Sequence, residues 1–126
     1  MTVFDASALL AYLGGEPGAD DVEAALAEGG RCSTANWSEV AQKVLAAGGN
    51  WDLARALLLS FGIELQPVET SDAEWAAGRW RRGEGLSLGA RLCLALAHRV
   101  GEEALTADSG WGHGEGIRQV RRAGGQ

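Results

Sequence analysis

Apolar and polar positions along this chain fall into short blocks whose period switches repeatedly between that of a strand and that of a helix. Thr2-Val3-Phe4 is a brief apolar run, Asp5-Ala6-Ser7 a break, and Ala8 to Leu13 an apolar stretch closed by Gly14-Gly15, which predicts strand, turn and helix. Glu16-Pro17-Gly18 punctuates, and Ala19 to Ala27 reads as a second, more exposed helix stopped by Gly29-Gly30. Arg31 to Thr34 is a short strand candidate. From Ala35 to Ala47, Trp37, Val40, Ala41, Val44 and Leu45 recur at helical spacing before Gly48-Gly49. Trp51 to Phe61 predicts another helix, Ile63 to Val68 a strand, and Ser71-Asp72-Ala73-Glu74 a capping box opening the next helix. Ser87 caps a segment running to Val100 that is apolar on nearly every face, as expected of a helix lying deep against a sheet. Ala104-Leu105-Thr106 ends a strand at Ala107-Asp108, and Ile117 to Val120 predicts a last edge strand before a polar tail.

Short strands alternating with helices predict an α/β domain with a parallel sheet covered on both faces. Such sheets place function at the carboxyl ends of their strands. Asp5 and Asp108 each follow directly on a predicted strand, so two carboxylates arise at that end. The length of 126 residues predicts one domain over 1–126. Apolar residues at 46% and charged residues at 22% exclude a disordered chain. No apolar run approaches the ~18 residues of a membrane span, and Asp5 stands where a signal peptide needs basic and apolar residues. The expectation is a cytoplasmic protein with no membrane partner. Cys32 and Cys93 are far apart with no second pair and no flanking His, which predicts buried free thiols.

Charge changes the picture more than composition does. A formal charge of −6 disfavours passive binding to a polyanion. Yet residues 1–78 carry 12 acids and 3 bases (−9), and residues 79–126 carry 5 acids and 8 bases (+3). The acids in turn carry the candidate chemistry. Asp5 alone reads as a helix N-cap, Glu39 as the return partner in an Asn36-Trp37-Ser38-Glu39 capping box, and Asp108 as an Asx-type turn residue. Taken together they describe a cleft that collects carboxylates from separate elements. Their self-repulsion is commonly offset by a hard divalent cation such as Mg²⁺ or Mn²⁺. Ser7 and Thr106 are hydroxyls beside those acids, suited to orienting a carboxylate or a water, and Ser109 stands at the rim.

Four motifs then match one family. Val3-Phe4-Asp5-Ala6-Ser7-Ala8-Leu9-Leu10-Ala11, Asn36-Trp37-Ser38-Glu39-Val40, Leu86-Ser87-Leu88-Gly89-Ala90-Arg91-Leu92-Cys93-Leu94-Ala95-Leu96-Ala97 and Leu105-Thr106-Ala107-Asp108 resemble, in order and over nearly the whole chain, the PIN-domain ribonuclease toxins of the VapC type. The resemblance implies a three-layer α/β/α PIN-like domain with a central parallel sheet. It implies the toxin of a type II toxin–antitoxin pair, a Mg²⁺- or Mn²⁺-dependent endoribonuclease. In it Asp5, Glu39 and Asp108 hold the metal, and water activated there attacks RNA phosphodiesters. A cognate antitoxin covering the cleft, with an Arg of its own against the carboxylates, and a homodimer through helical surfaces are implied as well. Position 90 departs from the pattern: the family has an acid there and this chain has Ala90. With Ser87 as N-cap, residue 90 is the third helical position, where an acid would meet the positive end of the helix dipole. Ala90 reads either as a replacement engineered to silence a toxic nuclease, which the intact flanking motif favours, or as a natural variant with impaired metal binding.

The remaining features divide between binding and scaffold. Arg79, Arg81 and Arg82 accompany Trp75 and Trp80 in a basic aromatic strip that can contact phosphate and stack bases, or equally end a solvated helix. Trp111, in the Gly110–Gly116 loop, offers a further stacking face for RNA; His113 beside it and His98 read first as loop and packing residues. Arg118, Arg121 and Arg122 extend the basic half and suit an acidic partner segment. Two rival functions stand beside the nuclease. One is a non-catalytic PIN-fold interaction domain that binds an antitoxin or RNA without cleavage, which Ala90 supports. The other is a phosphohydrolase with Asp5 as nucleophile, which Ser7, in place of a second acid, disfavours.

Overall fold

The computed structural model describes residues 1–122, so the predicted polar tail over 123–126 lies outside the described residues. Strand β1 (Thr2–Phe4) feeds helix α1 (Ala6–Leu13), α2 (Ala19–Glu28) leads to β2 (Gly30–Ser33), and α3 (Thr34–Ala46) and α4 (Trp51–Ser60) precede β3 (Glu64–Gln66). Helices α5 (Thr70–Gly78) and α6 (Leu88–Val100) precede β4 (Glu103–Thr106), a short 3-10 turn (Ser109–Trp111) and β5 (Ile117–Gln119). The five strands form one sheet in the order β3-β2-β1-β4-β5, and every pairing is parallel. The element order expected from periodicity is the order found, with β5 on the edge.

Strand alternation divides the core in two. Phe4 and Leu105 face the layer of α1 to α4, where they meet Leu9, Val22, Leu26, Val40 and Leu58. Val3 and Ala104, one position away on the same strands, face α6 and meet Cys93, Leu96, Ala97 and Trp111. The result is a three-layer α/β/α domain. Cys32 and Cys93 are free and buried, as predicted. No helix among the described residues is long and apolar enough to cross a membrane.

Two helix starts differ from expectation. Helix α5 opens two residues earlier, with Glu69 and Asp72 forming the capping box in place of Ser71 and Glu74. The Glu69 amide donates to Asp72 Oδ2 (3.0 Å), and Asp72 also accepts from Arg99 Nε (2.9 Å) and Nη2 (3.1 Å) on α6. A tertiary partner thus chose between two overlapping local patterns. Helix α3 is capped by Ser33, whose Oγ accepts from the Ala35 amide (3.2 Å), so the capping box expected of Asn36 and Glu39 does not form and both side chains lie inside the helix. Ser87 caps α6 as predicted, accepting from the Ala90 amide at 3.0 Å.

Candidate active site

The carboxyl ends of the central strands β1 and β4 bring Asp5, Ser7 and Thr106 together. Asp5 occupies the N-cap position of α1 but makes no side-chain cap bond. Its Oδ2 instead accepts from Ser7 Oγ (2.6 Å) and from Thr106 Oγ1 (2.9 Å). Each hydroxyl is fixed in turn from behind, Ser7 Oγ accepting from the Ala107 amide (2.9 Å) and Thr106 Oγ1 from the Asp108 amide (3.0 Å). The two residues predicted to orient a carboxylate do so, and the carboxylate they orient is Asp5.

Asp5 is 6% exposed. Burial pushes its carboxyl above the usual range, the Ser7 and Thr106 hydrogen bonds pull it back, and the charge of Glu39 pushes it up again. Glu39 therefore reaches Asp5 electrostatically from α3. It lies against the first turn of α6, because a Cβ on Gly89 would overlap its Oε1 and stand 2.9 Å from its Cδ. Asn36, fully buried one turn earlier on α3, donates through Nδ2 to Glu39 Oε1 (3.0 Å) and to the Gly89 carbonyl (3.0 Å). Its Oδ1 is buried without a hydrogen-bond partner among the described residues, a deficit that typically costs about 1–3 kcal/mol. The thiols of Cys32 and Cys93 are pushed upward by burial first and then by the charges of Asp5 and Glu39, which keeps both protonated beneath the acid pair.

Asp108 stands apart from this pair. Its Oδ1 accepts from the Gly110 amide (2.8 Å) and caps the 3-10 turn, the local role that an Asx-type residue performs. It connects to Asp5 through its own amide and Thr106. Among the described residues, no group of three His, Cys, Asp or Glu side chains is placed to hold a metal ion. The two carboxylates linked electrostatically, Asp5 and Glu39, offer oxygen donors alone. Mg²⁺ is commonly held through one or two carboxylates with water completing its shell, so these residues fit a hard cation and not a soft one. Ala90 adds no donor. Its methyl is 5% exposed and packs with Cys93, Leu94 and Trp111.

The predicted RNA contacts sort unevenly. Trp111 is a correction: its ring is 8% exposed and packs in the α6-side core, so it offers no face for stacking. Arg79 is engaged by Glu84 through two hydrogen bonds (2.6 and 3.1 Å). Arg81 is exposed and donates to the Gly78 and Trp80 carbonyls, and Arg82 lies 5.6 Å over the ring of Trp80, itself 52% exposed. His98 stacks on Trp75 at 5.2 Å, a packing role. Arg118 and Arg121 find their acidic partner inside the chain, both donating to Asp21 on α2 (2.7 and 3.3 Å). Arg122 donates to the Ala107 carbonyl (3.0 Å) at the edge of the site. Asn36 and Gly89 are site residues that sequence reading missed as such; the only trace was a glycine in the first turn of a helix.

The PIN domain family matches this chain over residues 2–115, and the chain belongs to that family. No curated protein matches the sequence. Among solved structures, a chain from a toxin-antitoxin complex from Klebsiella pneumoniae superposes with a TM-score of 0.75 at 18% identity, over 97% of this chain and 99% of that chain. At that identity the likeness establishes a shared fold.

Proposed function

We propose that this chain is the toxin of a VapC-type toxin–antitoxin pair, built as a Mg²⁺- or Mn²⁺-dependent endoribonuclease and impaired by Ala90. The observation that supports this reading is Asp5 at the carboxyl end of β1, held by two hydroxyls and sensing the charge of Glu39, in a PIN-domain frame. PIN domains are generally nucleases, and a pair of acids on a parallel sheet's active end is suited to that chemistry. Asp5 and Glu39 would hold the ion, joined by Asp108 if its carboxylate leaves the Gly110 amide. When bound, the ion supplies charge neutralisation on a phosphodiester and a more acidic water.

The chain's own residues do the rest. Ser7 and Thr106 fix Asp5 in one orientation. Trp80, Arg81 and Arg82, on the connection between α5 and α6, present an aromatic face and positive charge to a nucleic acid strand. Leu45, Leu53 and Leu57 leave apolar surface on α3 and α4 for a protein partner, either the cognate antitoxin or a second copy in a homodimer. The structural neighbour from a toxin-antitoxin complex supports the antitoxin. The same reading sets the chain in the cytoplasm.

Ala90 favours a second reading, the non-catalytic interaction domain, since the first turn of α6 carries no acid. Ala90→Asp separates the two. The toxin reading expects Mg²⁺-dependent RNA cleavage to rise about 100-fold or more over the present chain, and Glu39→Gln to abolish the gain. If the variant folds but gains neither cleavage nor Mg²⁺ affinity, the interaction domain is the correct description.

A further inference from the structure

Two local costs converge on one carboxylate. Asn36 has two side-chain protons and spends both, on Glu39 Oε1 and on the Gly89 carbonyl, each at 3.0 Å. Rotating the amide would set Oδ1 against two acceptors, so the orientation is fixed, and among the described residues Oδ1 is left buried with no donor. Gly89 is the second cost. Its φ is not in the left-handed region, so the backbone does not require glycine, and glycine weakens a helical turn relative to alanine. The side chain it lacks would occupy the place of the Glu39 carboxylate.

We propose that Asn36 and Gly89 form a socket that fixes Glu39 over the first turn of α6, making both of them positioning residues for the acid pair. Gly89 clears the space and Asn36 ties Glu39, on α3, to the backbone of α6 across 53 residues of sequence. In that position the carboxylate lies at the amide end of a 13-residue helix, where negative charge is favoured. The use of the socket for a divalent ion rests on the reading above; the positioning itself does not.

Gly89→Ala is the decisive variant, because the group it displaces is the end of a flexible side chain and the helix around it gains propensity. Three measurements on the full chain distinguish the outcomes: the thermal midpoint, solvent exchange of the Asn36 side-chain amide by NMR, and broadening of the Asp5 amide resonance by added Mn²⁺. The socket predicts an unchanged or higher midpoint, faster exchange of the Asn36 amide, and an Mn²⁺ concentration for half-broadening raised by about 10–100-fold. Asn36→Leu, of similar shape without donors, should raise that concentration likewise. An Asn36 amide that exchanges as in the parent overturns the socket. So does a Gly89→Ala chain whose midpoint falls along with Mn²⁺ binding, since the glycine would then serve the fold. If Mn²⁺ leaves the parent's Asp5 signal untouched, the metal reading fails, and the Asn36 amide alone decides the socket.

Discussion

Asp5 holds its proton more tightly in the folded chain than in the unfolded one, because burial outweighs the hydroxyls of Ser7 and Thr106 and Glu39 adds repulsion. For a carboxyl raised in this way the folded state binds more protons between the unfolded value of 3.8 and its own higher one. Stability from this group is therefore fullest below 3.8 and declines as pH climbs through the folded value. Asp5→Asn keeps an acceptor for both hydroxyls and removes the charge, so its thermal midpoint should exceed the parent's at pH 7 and the difference should close as pH falls below 3.8. Calorimetry at the two pH values checks it; an equal or lower midpoint at pH 7 would mean that the hydroxyls outweigh burial. Asp5, Ser7 and Thr106 were readable in the sequence because each sits at or beside a strand end. Asn36 and Gly89 were not, since 53 residues separate the partners and no local pattern links them. Trp111 misled in the opposite way: its glycine neighbours suggest an open loop, but Val3 and Ala90 lie in the core it joins.

The join between α5 and α6 shows how one element sets the boundary of another. Burial acts to raise the Asp72 carboxyl, but the Arg99 hydrogen bonds, the Glu69 amide and the Arg99 charge together hold it below the usual range. A lowered carboxyl contributes stability above its unfolded value of 3.8 and loses it as pH falls through the folded one, opposite in sign to Asp5. Asp72→Ala removes a helix cap and the partner of Arg99 at once. It should cost about 1–2 kcal/mol at neutral pH, read from urea unfolding, and a loss that persisted undiminished at acid pH would rule out the ion pair as its source. Existence and type of every α-helix and strand were legible from periodicity, whereas the 3-10 turn Ser109–Trp111 was read as loop. The first residue of α5 was not legible, since the local pattern favours Ser71-x-x-Glu74 while the Arg99 contact, distant in sequence, favours Asp72.

Over the whole molecule the net charge of −6 conceals where cations remain free. Arg118 and Arg121 are held by Asp21 from the acidic part of the chain, so part of the +3 counted over residues 79–126 is neutralised inside the fold, while Arg79 is engaged by Glu84 within that same segment. Arg81 and Arg82 remain exposed beside Trp80. If RNA lies there, replacing both by Ala should lower the salt dependence of binding by about 1.4 in the log–log slope, at about 0.7 per phosphate contact on a single strand. Fluorescence anisotropy across a salt series, without divalent ions, measures it, and an unchanged slope would move the RNA elsewhere. The sequence could report the asymmetry of charge between its halves, but which charges cancel depends on the fold.

The bond from Thr106 to Asp5 spans 101 residues, and β1 lies between β2 and β4 in the sheet. As a ribosome makes the chain, Asp5 emerges before Glu39, and β1 stays open along one edge until β4 arrives. Only then does Asp5 receive its second hydroxyl, and only then does the Asp5 amide find the Leu105 carbonyl at 3.0 Å. No shorter nascent fragment carries the assembled acid site. The strand order thus makes assembly of the Asp5 site a late event in synthesis: it waits for β4, whatever the chemistry the site performs.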